Sequence, residues 1–155
     1  MAVSNLLWLW DMLSSSVYIL FLVPLIFYCY TTDNIHLVAF IWSIVTLITS
    51  ETLKRVIFWN FKRPVGACNC GLINTDKCDG NEPGMPSSHV AFVTFLFTYY
   101  IYHLQPKWRN IAILYLVGVS LSRYFKKCHT ELQIIGGIML GYFIKTTSSL
   151  IEIKV

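Results

Sequence analysis

Two histidines, each next to groups that bind anions, are the residues of this chain best suited to chemistry. His129 follows Arg123 by six residues, and His89 comes directly after Ser87 and Ser88. Transfer of a phosphoryl group needs positive charge on its oxygens, a nucleophile on one side of the phosphorus and a proton donor on the other. Imidazole can fill either of the last two roles near neutral pH. These residue types therefore indicate chemistry on a phosphoryl group.

A third segment, residues 53–64 with the sequence LKRVIFWNFKRP, adds fixed positive charge. Arginine binds phosphate oxygens through a forked pair of N–H donors, and lysine binds them as a compact point charge. The segment contains four such side chains, Lys54, Arg55, Lys62 and Arg63. Because the three segments are far apart in the sequence, the fold has to bring them together.

Long uncharged runs separate these segments and indicate a membrane protein. Hydrophobic residues make up 55% of the chain and charged residues 13%, which is far from the composition of an average soluble domain. A membrane-spanning helix needs about 20 residues. The sequence therefore predicts an all-α, polytopic membrane helical bundle with about five transmembrane helices, forming a single domain over residues 1–155. Five uncharged runs support it, at 13–32, 34–50, 84–106, 110–122 and 132–144.

The charges, prolines and glycines that flank these runs predict the helix boundaries. Residues 1–12 are expected to form an amphipathic lead-in at the membrane interface. Pro64 ends the second helical pattern, because the residue before a proline disfavours α geometry. Residues 65–86 form one long loop that is rich in glycine and proline. The predicted spans are 13–30, 35 to about 59, 87–103, 110–124 and 132–151.

The number of spans decides where the three charged segments lie. With five spans, the loop after the second span and the loop after the fourth must be on the same side of the membrane. The segment that ends at Arg63, the start of the third span at His89 and the segment from Arg123 to His129 are therefore predicted to meet at one face.

The three segments, in this order, resemble the motifs of the type 2 phosphatidic acid phosphatase superfamily, which also includes vanadium haloperoxidases. The pattern of that superfamily is K-x₆-R-P, then P-S-G-H, then S-R-x₅-H-x₃-D. This chain has R-P at 63–64, P-S-S-H at 86–89 and S-R-x₅-H at 122–129. The second serine at residue 88 and the H-T-x-x-Q sequence are most similar to polyisoprenyl (dolichyl-type) diphosphatases.

The resemblance implies a role for each of the matched residues. His129 is the nucleophile that attacks phosphorus and forms a phosphohistidine, which water then hydrolyses. Gln133 holds its ring by accepting the other ring N–H, in place of the more usual aspartate. His89 is the general acid that protonates the leaving oxygen. Phosphate oxygens are bound by side chains and by backbone amides at the start of the third span, and the residues concerned are Lys54, Arg63, Ser87, Ser88 and Arg123.

The position of the lysine departs from the superfamily pattern. Eight residues separate Lys54 from Arg63, where the pattern has six. On a regular helix that spacing puts the two side chains on opposite faces. Either the helix unwinds near Asn60, or Arg55 or Lys62 makes the contact instead. We favour Lys54, because the sequence ETLK occupies the place of the lysine in the superfamily.

Composition and resemblance together predict an integral-membrane, multi-pass hydrolase that acts on a lipid phosphate or diphosphate, with a polyisoprenyl diphosphate favoured. The membrane would be that of the endoplasmic reticulum in a eukaryote and otherwise the cytoplasmic membrane. A phosphatidate or sphingoid-phosphate phosphatase, a phosphotransferase and a catalytically inactive membrane scaffold of the same fold remain alternatives. The sequence leaves the oligomeric state open.

Charges elsewhere in the chain bear on cofactors and partners. No carboxylate cluster suited to Mg²⁺ lies near the histidines, so we expect no metal and no other cofactor. Glu51 and the acidic residues of the long loop are interpreted as solvated charges. The formal net charge of +4 suits the anionic headgroups of lipids better than nucleic acid.

The five cysteines leave two questions open. The loop cysteines lack the usual C-x₂-C spacing and a clear fourth ligand, which argues against a zinc site. Disulfides are expected if the loop faces an oxidising lumen, and free thiols if it faces the cytosol. Lysine and arginine counts lean slightly towards a cytosolic site, whereas the resemblance implies a luminal one. The cysteines are Cys29, Cys68, Cys70, Cys78 and Cys128.

Overall fold

Five α-helices form the framework of the protein in the computed structural model, which describes residues 2–71 and 78–152. No strand occurs in these residues, although Lys62 and Pro83 form one isolated antiparallel bridge. The predicted all-α bundle is therefore confirmed. The helices are α1 (Ala2–Thr31), α2 (Asn34–Val56), α3 (Ser88–Tyr100), α4 (Pro106–Phe125) and α5 (Glu131–Glu152).

Three of the five helices are long and apolar enough to cross a membrane, with spans at Trp8–Thr31, Asn34–Val56 and Glu131–Ile151. The predicted count of five helices is confirmed, but α3 and α4 do not meet the same criteria. Helix α3 has 13 residues, which is about 20 Å of helix against a hydrocarbon core of about 30 Å. Helix α4 has 20 residues but contains Lys107, Arg109 and Arg123.

Helix α1 begins earlier than predicted. Residues that we expected to form a separate interfacial lead-in continue the helix without a break from Ala2. The helix ends at Thr31, and Asp33 then caps α2 by accepting a hydrogen bond from the N–H of Ile35 at 3.1 Å. Because α1 extends further, its first turns reach the end of α4, where Asp11 Oδ1 lies 2.7 Å from Lys126 Nζ.

The short helix α3 lies at the centre of the core. Nine of its 13 residues are buried, which explains why the segment is apolar on every face. Helix α5 approaches it closely at two glycines. A β-carbon at Gly137 would lie only 2.7 Å from the carbonyl oxygen of Ser87, and Gly141 lies similarly close to the carbonyl of Ala91. These glycines therefore allow the two backbones to touch.

The long connection between α2 and α3 is held at both ends. Helix α2 stops at Val56, where the N–H groups of residues 57 and 58 both donate to the carbonyl of Leu53. Further along, the N–H of Arg63 donates to Glu82 O at 2.8 Å, and that of Gly84 donates to Phe61 O at 2.8 Å. The two ends of the loop therefore lie side by side over the end of the bundle.

Candidate active site

Direct contacts bring the three charged segments together at one end of the bundle, as the span count predicted. Lys54, in the last turn of α2, donates to Ser88 Oγ at the start of α3. Gln133, in the first turn of α5, donates through Nε2 to Lys62 O at 2.8 Å. Arg123, near the end of α4, donates through Nη2 to the carbonyl of Cys70 at 2.7 Å.

His129 lies in the short connection between α4 and α5 and is 2% exposed. Its Nδ1 is 3.3 Å from Gln133 Oε1. That oxygen also accepts from the N–H of Thr130 at 3.1 Å, while Nε2 of the same amide donates to Lys62 O at 2.8 Å. The amide can therefore only accept from the imidazole, so Nδ1 carries the proton and Nε2 keeps its lone pair.

The surroundings of His129 favour the neutral form of its ring. Burial holds the pKa of His129 well below its ordinary value, and the positive charges of Arg123, Lys54 and Arg63 lower it further. A buried imidazole with a free Nε2 lone pair is suited to nucleophilic attack.

His89 lies in the first turn of α3. Its Nε2 is buried and makes no hydrogen bond to any residue that the structure describes. The ring meets Tyr18 of α1 edge to face, with 5.2 Å between the ring centroids. Tyr18 carries no motif and was not predicted.

The N-terminus of α3 differs in one respect from the predicted phosphate site. Ser87 is the N-cap residue, and its N–H donates to the carbonyl of Gln133 at 3.0 Å. The amide of Ser87 is therefore already used within the protein, whereas binding of phosphate by the other backbone amides here stays a prediction. The hydroxyl of Ser87 is buried and makes no hydrogen bond within residues 2–71 and 78–152, so its Oγ keeps its full hydrogen-bonding capacity.

Lys54 is the lysine that lies at the site. It is 4% exposed and contacts Ser88, whereas Arg55 is exposed and Lys62 contacts Asn81 Oδ1 at 3.2 Å. Helix α2 ends at Val56, about three residues earlier than predicted, so the chain between Lys54 and Arg63 is unwound, which was the first of the two alternatives.

The interpretation of Glu51 as a solvated charge is incomplete. Its side chain is about half exposed, but it lies on α2, where its Oε1 accepts from Lys54 Nζ at 2.6 Å and from Ser88 Oγ at 2.7 Å. The spacing of three residues between Glu51 and Lys54 on a helix was the available signal. The contact with Ser88 depends on the packing of α2 against α3, and no local pattern indicates it.

The two arginines are held by different partners. Arg63 Nη1 is 3.4 Å from Glu82 Oε2. Arg123 is 1% exposed, and its Nη1 donates to Ser14 Oγ of α1 at 2.6 Å while Nη2 donates to Cys70 O. Neither Ser14 nor the Cys70 carbonyl was predicted to contribute to the site.

Gly84 packs directly against the side chain of Gln133, a contact that was not predicted. A β-carbon at this position would lie 2.6 Å from Oε1 of Gln133, closer than van der Waals contact allows. Glycine therefore lets the loop pack against the amide that orients His129.

A cavity of about 600 Å³ adjoins His129. Aromatic and aliphatic side chains form one part of its wall, and polar side chains form the rest. Of the predicted site residues, His129 is the one that lines this cavity. Its lining residues are Pro64, Tyr124, Phe125, Lys127, His129, Thr130, Glu131 and Leu132.

A helical bundle with spanning helices and two histidines among buried cations has the construction of a membrane-bound phosphatase. The sequence profile of the PAP2 superfamily matches residues 35–152, and the chain belongs to this superfamily. Membership of this superfamily implies phosphatase-type activity on phosphate esters. Comparisons with curated proteins and with solved structures found no significant match. Helix α1, with Ser14 and Tyr18, precedes the matched range.

Proposed function

We propose that this protein is an integral-membrane phosphatase that hydrolyses a phosphate or diphosphate ester of a lipid through a phosphohistidine at His129. The main observation behind the proposal is the tautomer and the burial of the His129 ring. Gln133 Oε1 accepts a hydrogen bond from Nδ1–H, with 3.3 Å between the two atoms, and the ring is buried beside three positive charges. This arrangement leaves a neutral nucleophile next to groups that attract a phosphate.

The reaction proceeds in two displacements. In the first, His129 Nε2 forms a bond to phosphorus while the bond from phosphorus to the leaving oxygen breaks. His89 takes up a proton when the negatively charged phosphate binds beside it, and gives that proton to the leaving oxygen. In the second, water attacks the phosphohistidine and loses a proton to His89, and the bond from phosphorus to nitrogen breaks. Lys54, Arg63 and Arg123 stabilise the negative charge that develops on the phosphoryl oxygens in both steps.

The cavity next to His129 supports a lipid as the leaving group. Tyr124 and Phe125, at the end of α4, and Leu132, in the first turn of α5, give it an apolar wall. Among lipids we favour a polyisoprenyl diphosphate, on the resemblance of P-S-S-H and H-T-x-x-Q to that branch of the superfamily. The enzyme would lie in the endoplasmic reticulum membrane of a eukaryote and otherwise in the cytoplasmic membrane.

Release of phosphate from a panel of lipids by the purified full-length protein tests this function. The panel contains a polyisoprenyl diphosphate, phosphatidate and a sphingoid phosphate, each in mixed micelles and in vesicles. We expect the diphosphate to give the highest kcat/KM, and His129→Asn to abolish release while His103→Asn leaves it unchanged. His103 is a matched control because it is an exposed histidine at the other end of α3.

Other outcomes assign a different function. Faster hydrolysis of phosphatidate or of the sphingoid phosphate would move the protein to another lipid. Phosphate that appears on a second lipid instead of in solution would make it a transferase. If wild type and His129→Asn are equally inactive on every lipid, the protein is a scaffold of this fold.

A further inference from the structure

A disulfide joins the long loop to the residue that precedes His129. Cys70 and Cys128 are bonded across 58 residues of sequence, and both are buried, at 2% and 0% exposure. With Ala67 they form a small apolar cluster outside the main core. The bond therefore ties the loop between α2 and α3 to the connection between α4 and α5.

Backbone groups of the same two cysteines are hydrogen-bonded to Arg123. The carbonyl of Cys70 accepts from Arg123 Nη2 at 2.7 Å. The carbonyl of Arg123 in turn accepts from the N–H of Cys128 at 3.0 Å and from that of His129 at 3.2 Å. The side chain of the arginine and the backbone of the histidine are thus positioned by one short network that the disulfide closes.

Contacts around the network strengthen the link to the loop. Lys126 Nζ lies 3.1 Å from the carbonyl of Asn69, the neighbour of Cys70, and 2.7 Å from Asp11 Oδ1. Asn69 therefore lies next to Cys70 on the loop, Lys126 lies three residues after Arg123, and Asp11 lies on α1. The loop is therefore attached to the end of α4 where the disulfide crosses, in addition to its contacts with Gln133.

The second disulfide provides an internal comparison. Cys68 and Cys78 are bonded across 10 residues within the long loop itself. This bond connects no helix to the loop, and neither of its sulfurs belongs to the residue before His129. Cys29, on α1, is a free thiol. The chain thus contains one disulfide that reaches the site and one that does not.

We propose that Cys70 and Cys128 are positioning residues for the phosphatase, and that their disulfide keeps Arg123 and His129 in register. The inference rests on the proposed function. When the bond is reduced, the Cys70 carbonyl is free to move away from Arg123, and the connection that carries His129 loses its covalent tie to the loop. The oxidised protein is therefore the active form, and reduction to two thiols lowers its activity.

The disulfide also bears on which side of the membrane the site faces. The bond forms when two thiols lose two electrons and two protons to a disulfide-bearing oxidoreductase. Structural disulfides of this kind persist in oxidising compartments and not in the cytosol. The disulfide therefore agrees with the luminal orientation that the resemblance implies.

Reduction of the folded protein tests the positioning role. In the Cys68→Ser/Cys78→Ser variant the remaining disulfide is Cys70–Cys128. Tris(2-carboxyethyl)phosphine converts that bond to two thiols and becomes the phosphine oxide, with its oxygen from water. After the reductant is removed, we expect kcat/KM to be lower by about 10- to 100-fold, the cost of misplaced reacting groups. Oxidised glutathione should restore it, and N-ethylmaleimide added first should prevent the recovery.

A substitution with a binding readout separates positioning from general structure. Cys70→Ser/Cys128→Ser should bind orthovanadate, a mimic of the pentacoordinate phosphoryl group, about 10-fold or more weakly. The Cys68→Ser/Cys78→Ser variant should bind it like wild type. Circular dichroism should show the same helix content in all three proteins. If the substituted protein does not fold, the reduction experiment on folded protein decides the matter.

Two results would overturn the inference without touching the proposed function. One is an oxidised protein that hydrolyses its lipid and keeps full activity after both thiols are shown to be free. The other is wild-type vanadate affinity in Cys70→Ser/Cys128→Ser. If instead the oxidised wild type hydrolyses no lipid of the panel, the proposed function is wrong and this inference fails with it.

Discussion

Histidines lie at both ends of this bundle, and the charges around them differ. At one end, His89 and His129 are surrounded by buried or half-buried cations. At the other end, His36 Nδ1 lies 2.8 Å from the hydroxyl of Tyr100. His36 and His103 there line an apolar cavity of about 520 Å³. The positive charges packed around an imidazole, more than the imidazole itself, therefore make one end of this fold suited to phosphate chemistry.

The largest expected difference between the ends comes from removing a histidine. His129→Asn should lower kcat/KM by about 10⁴-fold or more, because a nucleophile has no substitute within the site. His36→Asn should change it by less than about 3-fold. Steady-state phosphate release from the best lipid measures both, and a loss of activity in His36→Asn as large as that in His129→Asn would remove the distinction between the ends.

Arg123→Lys keeps the positive charge at the phosphate end of the bundle and removes the forked pair of N–H donors. We expect kcat/KM to fall by about 10²- to 10³-fold, the usual effect of losing one donor to a developing negative charge. The control is Arg109→Lys, since Arg109 at the opposite end donates to the carbonyl of Leu104 at 2.9 Å and has no contact with the site. Equal effects of the two changes would show that Arg123 contributes only to packing.

Ser14→Ala tests whether α1 belongs to the site, although it precedes the matched range of the superfamily. Loss of the hydroxyl that holds Arg123 Nη1 at 2.6 Å should lower kcat/KM by about 10-fold, because hydrogen bonds to charged groups are worth about 1.5–3 kcal/mol. Ser16→Ala is the matched control, as Ser16 contacts the hydroxyl of Tyr115 instead. An unchanged rate in Ser14→Ala would limit α1 to a structural role.

The smallest expected effect is the change in activity on mild acidification. The folded protein holds the pKa of His129 below its ordinary value, so the nucleophile is protonated only at a pH lower than about 6.5, the value for an unperturbed histidine. The acid limb of kcat/KM, corrected for titration of the substrate, should therefore have its midpoint below pH 6.5. A midpoint above that value would mean that a negative charge, and not burial among cations, dominates this ring.

The sequence predicted the elements of the site better than the contacts that hold them. Uncharged runs and the order of the motifs were enough to place His89 and His129 at the same end, because both signals are local. Asp11 suggested that the first helix begins after it, whereas its charge is in fact paired with Lys126. Ser14 and Tyr18 belong to no motif, and only the packing of α1 against α3 and α4 makes them neighbours of Arg123 and His89.

The cysteines illustrate the same limit. Three of them share one loop, and spacing does not reveal which of the possible pairings forms. The partner of Cys70 is Cys128, which lies 58 residues away. That pairing depends on the arrangement of the helices, so it follows from the fold and not from the loop.

Isolation of the phosphorylated enzyme tests the central claim most directly. Wild-type protein and His129→Asn are mixed for milliseconds with ³²P-labelled polyisoprenyl diphosphate, quenched in alkali, where phosphohistidine is stable, and digested for peptide mapping. We expect label on the peptide that contains His129 in wild type and none in the variant. Label on another residue, or release of labelled phosphate by wild type with no labelled peptide at any time, would contradict it.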